Sequence, residues 1–244
     1  MKQLIISGLF LLSLSCTALQ QASGTFPSST NNNQQSQIAE GLKQALTIGT
    51  QNSTNKLSAV DGFFADAAIK ILMPPEGESV EKTLRQFGLG SLVDKTILSL
   101  NRAAEDAAKS ATPIFVDAIK QMTISDALGI LQGGDFAATN YFKEKTTASL
   151  TTAFSPIISK SLDKVDATKY WSDMFTTYNK FAAKKVPTDI NAYVTQKAID
   201  GIFYEVGLEE QKIRKDPAAR VTDLLKTVFG GNDIAPKKKG KKNF

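Results

Sequence analysis

The residues best equipped for chemistry lie late in the chain: Glu205, Glu209 and Glu210, followed by Arg214 and Arg220. Glu205 and Glu209 stand four apart, which on a helix puts both carboxylates on one face, a turn from each other. Paired carboxylates can do general acid–base work or hold a hard cation such as calcium through oxygen. Two-carboxylate glycoside hydrolysis shows that such chemistry needs no histidine. Glu210 and Arg214 form the favourable acid-before-base i,i+4 pair, worth roughly 0.2–0.5 kcal/mol when exposed. The plainer reading of the group is a charge network that ties the last two helices together. Asn101 and Glu105 are one turn apart in an Ala-rich stretch. Their functional reading is a ligand contact, and their structural reading is hydrogen bonding between helices. Asp135, Thr139 and Tyr141, with Lys145 further on, read either as a polar ligand site or as an N-cap aspartate with a locally bonded threonine.

Composition limits what these groups can join. The chain has no histidine and one cysteine. A Ser-His-Asp triad, a Cys-His dyad, a His-ligated metal centre and an intramolecular disulfide are therefore excluded. No spacing of metal ligands and no glycine-rich phosphate loop is present, so neither a metal nor a cofactor is expected. The aromatic set Phe142, Phe154, Trp171, Phe175, Tyr178, Phe181, Tyr193 and Phe203 falls at helical spacing. It reads as core, or else as the lining of an apolar cavity for an acyl chain or another hydrophobic ligand.

The elements that must position these groups are helical, and the expected fold is all-α: one bundle-like domain over residues 37–230. Ile38, Leu42, Ala45, Leu46 and Gly49 share a helix face, and Leu89, Leu92, Val93, Thr96, Leu100, Ala103, Ala107 and Ala111 form a long stripe. Thr112-Pro113, Ser155-Pro156 and Asp216-Pro217 read as caps before a first-turn proline, Ser125 and Asp135 as further N-caps, and Gly133-Gly134 as a stop. Only Ala68–Met73, ending at Pro74-Pro75, has a strand-like character, and one short strand or extended crossover is expected there.

The formal charge of +5 is a property of the ends. Five lysines crowd the last nine residues and Lys2 opens the chain; setting these six aside leaves 23 bases against 24 acids. A body so balanced is not the clustered basic surface of a nucleic-acid reader, so no nucleic-acid partner is expected. Residues 231–244 read as a disordered Lys-rich tail. At the other end, Lys2 followed by the apolar run Leu4–Leu14 is the pattern of a secretory signal peptide over residues 1–15. Eleven residues rise only about 16 Å as a helix, too short for a bilayer core of about 30 Å. Ser13-Leu14-Ser15-Cys16 resembles a bacterial lipobox, which makes Cys16 the lipidation site and the membrane a partner through its acyl chains. Thr17 after the cysteine, rather than Asp, resembles the sorting signal for an outer membrane. Residues 16–36, rich in Ser, Thr, Asn and Gln, read as a disordered polar tether.

Several stretches together resemble one bacterial family, domain of unknown function 4197. They are Gly41-Leu-Lys-Gln-Ala-Leu46, Asn101-Arg-Ala-Ala-Glu105, Ile114-Phe-Val-Asp-Ala-Ile119, Gly129-Ile-Leu-Gln-Gly133 and Ala137-Ala-Thr-Asn-Tyr-Phe142. Tyr178-Asn179 follows, then Glu209-Glu210, Ile213-Arg214, Pro217, Arg220 and Leu224–Gly230. Gln44 stands where the family usually has Glu, so no carboxylate is needed there. The resemblance implies an exported, largely helical bacterial protein and implies no activity. The combined expectation is a lipid-anchored cell-envelope protein that faces the periplasm and serves as a non-catalytic binding or scaffolding module for a protein partner. A carrier of an apolar ligand and a carboxylate-dependent hydrolase are the alternatives.

Overall fold

The computed structural model of the chain describes residues 28–164, 167–179 and 189–216. Among these the protein is all helix and connection, with no strand. In order, the helices are α1 (Ser28–Ser58), α2 (Glu78–Gln86), α3 (Gly90–Ala108), α4 (Ala111–Gln121), α5 (Ile124–Gln132), α6 (Ala137–Asp163), α7 (Ala167–Asn179) and α8 (Ile190–Lys215). A 3-10 turn, Pro75–Gly77, precedes α2.

Helix α3 lies at the centre. Ala103, Ala104, Ala107 and Ala108 are fully buried, and their small side chains let neighbouring helices approach closely. Helices α1 and α8 run antiparallel, as the pairs Lys56–Glu205 and Asn52–Glu209 show. Helices α6 and α8 are likewise antiparallel, with Ser155 against Asn191 at one end and Thr139 against Glu210 at the other. Phe63, Phe115, Phe142, Phe154, Trp171 and Phe175 fill the core. Phe115 meets Phe142 edge-on, with ring centroids 5.3 Å apart. Gly201 admits Phe63: a Cβ there would stand 2.4 Å from the ring.

Several expected boundaries move. Helix α1 begins at Ser28, so residues 28–36 are helical and not part of a disordered tether. Residues 33–37 are exposed and have no apolar face. A helix already anchored by buried Ala39, Leu42 and Leu46 extends outward at little cost, because each added residue gains a backbone hydrogen bond without a new nucleus. Pro156 sits inside α6 and does not open a helix. Its flanks Phe154 and Ile158 are both fully buried, and Ser155 accepts a bond from Asn191 Nδ2 at 2.9 Å, so packing on both sides carries the helix through the break. Thr112 is not a cap: Ser110 holds that position, and the Thr112 hydroxyl meets that of Thr54 at 2.6 Å. The cap of α5 is Thr123 and not Ser125, closed by a reciprocal capping box with Asp126. Gly133 ends α5 as expected. Asp216 is the C-cap of α8, and the proline after it lies outside the described residues.

Ala68–Met73 takes the extended-crossover alternative. It is turn and extended backbone without a strand partner. Its Ile69, Ile71 and Met73 are buried, and it ends at Pro74-Pro75, which have no N–H to give to a ladder. Cys16, Arg220, Phe181, Val221–Val228 and the lysine tail lie outside the described residues, as does the side chain of Tyr178.

Candidate functional site

The Asn101–Glu105 turn of α3 grips the connection between α1 and α2. Asn101 is fully buried; its Oδ1 accepts the Ile71 N–H at 2.8 Å, and its Nδ2 donates to the Ile71 carbonyl at 2.8 Å and to the Ile97 carbonyl at 2.7 Å. The side-chain amide thus serves Ile71 as a neighbouring strand would, and so Ala68–Met73 needs no strand. One turn on, Glu105 Oε1 accepts the N–H groups of Phe63 and Phe64 at 3.2 and 3.3 Å, and Oε2 accepts from Arg102 at 2.6 Å. Arg102 also reaches Asp61 at 2.7 Å, and its guanidinium is held further in the charged form, chiefly by Glu105. Asp61 adopts a left-handed φ of 66°. The next residue, Gly62, must be glycine, because a Cβ would stand 2.4 Å from the Lys56 carbonyl oxygen.

A second clamp closes the other end. Glu210 of α8 is 7% exposed. It accepts the N–H groups of Ala138 and Thr139 at 3.0 and 2.9 Å and the Thr139 hydroxyl at 2.8 Å. These are orphan donors of the first turn of α6, so Glu210 caps that helix from more than 70 residues away in the chain. Arg214 holds Glu210 at 2.9 Å and donates to the Ile130 carbonyl at 2.7 Å in the last turn of α5. One i,i+4 pair therefore caps the end of α5 and the start of α6 together. The expected N-cap, Asp135, is instead an exposed ion-pair partner of Lys215 at 2.8 Å, which lowers its pKa. Among the described residues the charge network ties α8 to the α5–α6 junction; Arg220, its remaining expected member, lies outside them.

Glu205 and Glu209 do not converge into a paired site. Glu205 is buried and meets Lys56 at 2.7 Å, a contact that raises the Lys56 pKa. Glu209 turns to Asn52 at 3.2 Å and Lys212 at 3.3 Å. Among the described residues no three acidic, cysteine or histidine side chains gather as a metal site.

Tyr141 and Lys145 line a polar cleft of about 590 Å³ between α4, α5 and α6, with Asp117 and Asp126 opposite. Burial pushes the Tyr141 phenol above its ordinary pKa. Thr139 faces away from this cleft, toward Glu210. The sequence set Asp135, Thr139 and Tyr141 is thus divided among three environments. A different groove, of about 640 Å³, runs between α6 and α8 and carries Phe136, Tyr204 and Leu208 at 45%, 44% and 40% exposure. No sequence motif marked it, because single exposed apolar residues at these positions look like surface noise. Arg102, Lys56 and Asp61 were also not singled out; only the i,i+3 spacing of Arg102 and Glu105 gives a local signal.

A family model described as "Protein of unknown function (DUF4197)" matches residues 32–230. The chain belongs to the DUF4197 family. No curated protein and no solved structure gives a match to it. In this DUF4197 chain, two of the stretches that carry the resemblance, Asn101–Glu105 and Glu209–Arg214, are the ones that build the two clamps.

Proposed function

We propose that this DUF4197 protein is a lipid-anchored, non-catalytic binding module of the cell envelope, held by Cys16 and facing the periplasm from an outer membrane. The observation that carries the non-catalytic part is the use of the buried polar groups. Asn101, Glu105, Glu205 and Glu210 each bond a backbone segment or a cation of the fold. A group that already caps a helix or pairs a loop is not available to move a proton on a substrate without releasing that segment. Support for the anchor comes from the sequence: the signal-like start, the lipobox-like Ser13–Cys16 and the single cysteine. No helix among the described residues is long and apolar enough to cross a membrane. The carrier reading has less support: the gap between α1, α5, α6 and α8 is about 10 Å³, room for about one water molecule and far too small for an acyl chain.

The test is fractionation of the full-length protein and its Cys16→Ala variant from the producing cell. The wild type is expected in the membrane pellet, released only by detergent, and the variant in the soluble fraction. A variant that stays in the pellet would sink the anchor.

A further inference from the structure

We propose that the α6–α8 groove receives one amphipathic helix of a partner protein, oriented by a carboxylate of that helix set against Lys143. The proposal rests on the binding-module reading and names its site and partner. On α8, Asp200, Phe203, Tyr204, Gly207, Leu208 and Gln211 recur at three- and four-residue steps. They make a strip about 16 Å long at 1.5 Å per residue, the length over which a helix presents its i, i+3, i+4 and i+7 side chains. Phe136, Asn140 and Lys143 of α6 form the facing wall. Gly207 lets Phe136 pack close over α8: two Phe136 ring carbons lie 3.3 Å from where a Cβ at 207 would be.

The charges give the groove a direction. Because α6 and α8 are antiparallel, Lys143 and Asp200 lie toward one end of the groove, and Phe136 and Leu208 toward the other. The Lys143 ammonium stands 5.8 Å over the Phe203 ring and forms no ion pair among the described residues. Among the described residues Asp200 accepts from the Gln196 amide alone, at 2.9 Å. An exposed aromatic and aliphatic strip with an unneutralised cation and anion at one end fits a protein helix carrying an acid and a base there.

The test places a benzoylphenylalanine photocrosslinker at position 204 of the full-length, anchored protein in its own cells. The expected result is an adduct to one protein, whose crosslinked peptide, mapped by mass spectrometry, has helical apolar spacing and a carboxylate near the contact. Lys143→Glu should lower the adduct yield about tenfold, and reversing the partner's carboxylate to Lys should restore it. Leu208→Glu should abolish the adduct while the protein melts like the wild type. The proposal is overturned by adducts only to lipid or only to a second copy of the chain, by an equal yield from position 60 on another face, or by no adduct at all. Fractionation of the Cys16→Ala variant keeps the two readings apart: attachment that survives the substitution overturns the anchor alone, and an adduct missing from the anchored wild type overturns the groove alone.

Discussion

Helix α8 carries two faces that invert the usual distribution of polarity. Its inner face buries Glu205 and Glu210, and its outer face exposes Tyr204 and Leu208. Tyr204 and Glu205 are adjacent in sequence yet 44% and 4% exposed. A helix placed only by apolar burial would have these exchanged. The inner acids are tolerable because each has a partner, Glu205 one cation, Lys56, and Glu210 a helix start and Arg214. Among the described residues the outer apolar side chains have no such explanation. A buried polar group with partners therefore speaks of architecture here, and an exposed apolar group without them speaks of binding.

The comparison breaks first at Glu210. Glu210→Ala leaves two buried N–H groups unmet and Arg214 uncompensated, and should cost about 3–5 kcal/mol in denaturant unfolding. Glu210→Gln should fall between the variant and the wild type, because one acceptor oxygen survives. A loss under about 1 kcal/mol for the alanine variant would mean that the clamp is not holding the α5–α6 junction. Asn101→Ala comes next, at about 2–3 kcal/mol, since it orphans both backbone groups of Ile71 inside the core. Hydrogen exchange should rise at the Ile71 amide above all; unchanged protection there would contradict the strand-like role given to the side chain.

Asp106 sharpens the contrast between buried and surface pairs. Its contacts with Lys109 at 2.8 Å and Ser161 at 2.9 Å hold its pKa below the ordinary 3.8, with Lys109 the larger cause. A carboxylate whose folded pKa is depressed stabilises the fold above its unfolded pKa and loses that contribution as pH falls through the folded one. Asp106→Asn should therefore lower the melting temperature slightly at neutral pH, and the gap should close as the pH falls through the depressed folded pKa of Asp106. The effect is small because the side chain is 43% exposed. A gap that persists in acid would assign the loss to packing. Smallest of all is Leu208→Glu, expected within about 0.5 kcal/mol of wild type, since a surface position away from any clamp tolerates charge. A large loss would show that the outer face packs on part of the chain and is not a docking surface.

Much of the fold was legible. The stripe of Val93, Leu100, Ala103 and Ala107 reads directly as a buried face, because the 3.6-residue period leaves a visible mark in apolar spacing. The Gly133 stop was legible for the same local reason. Caps and boundaries were less so. Asp135 looked like the cap of α6, but the N–H groups of that helix are met by Glu210, which no local pattern connects to it. Pro156 looked like a helix start, yet packing on both sides overrode it.

The sequence by itself determined the helical class, the family, the absence of histidine chemistry, and the concentration of basic charge at the ends. These depend on composition and short-range period, which the chain carries with it. Only the tertiary structure decided what Asn101, Glu105, Glu205 and Glu210 are for, because a polar side chain's role depends on which donors the fold brings within about 3 Å of it. Contacts across 30 to 150 residues leave no spacing to read. The α6–α8 groove is in the same position: its residues become a surface only when two antiparallel helices set them side by side.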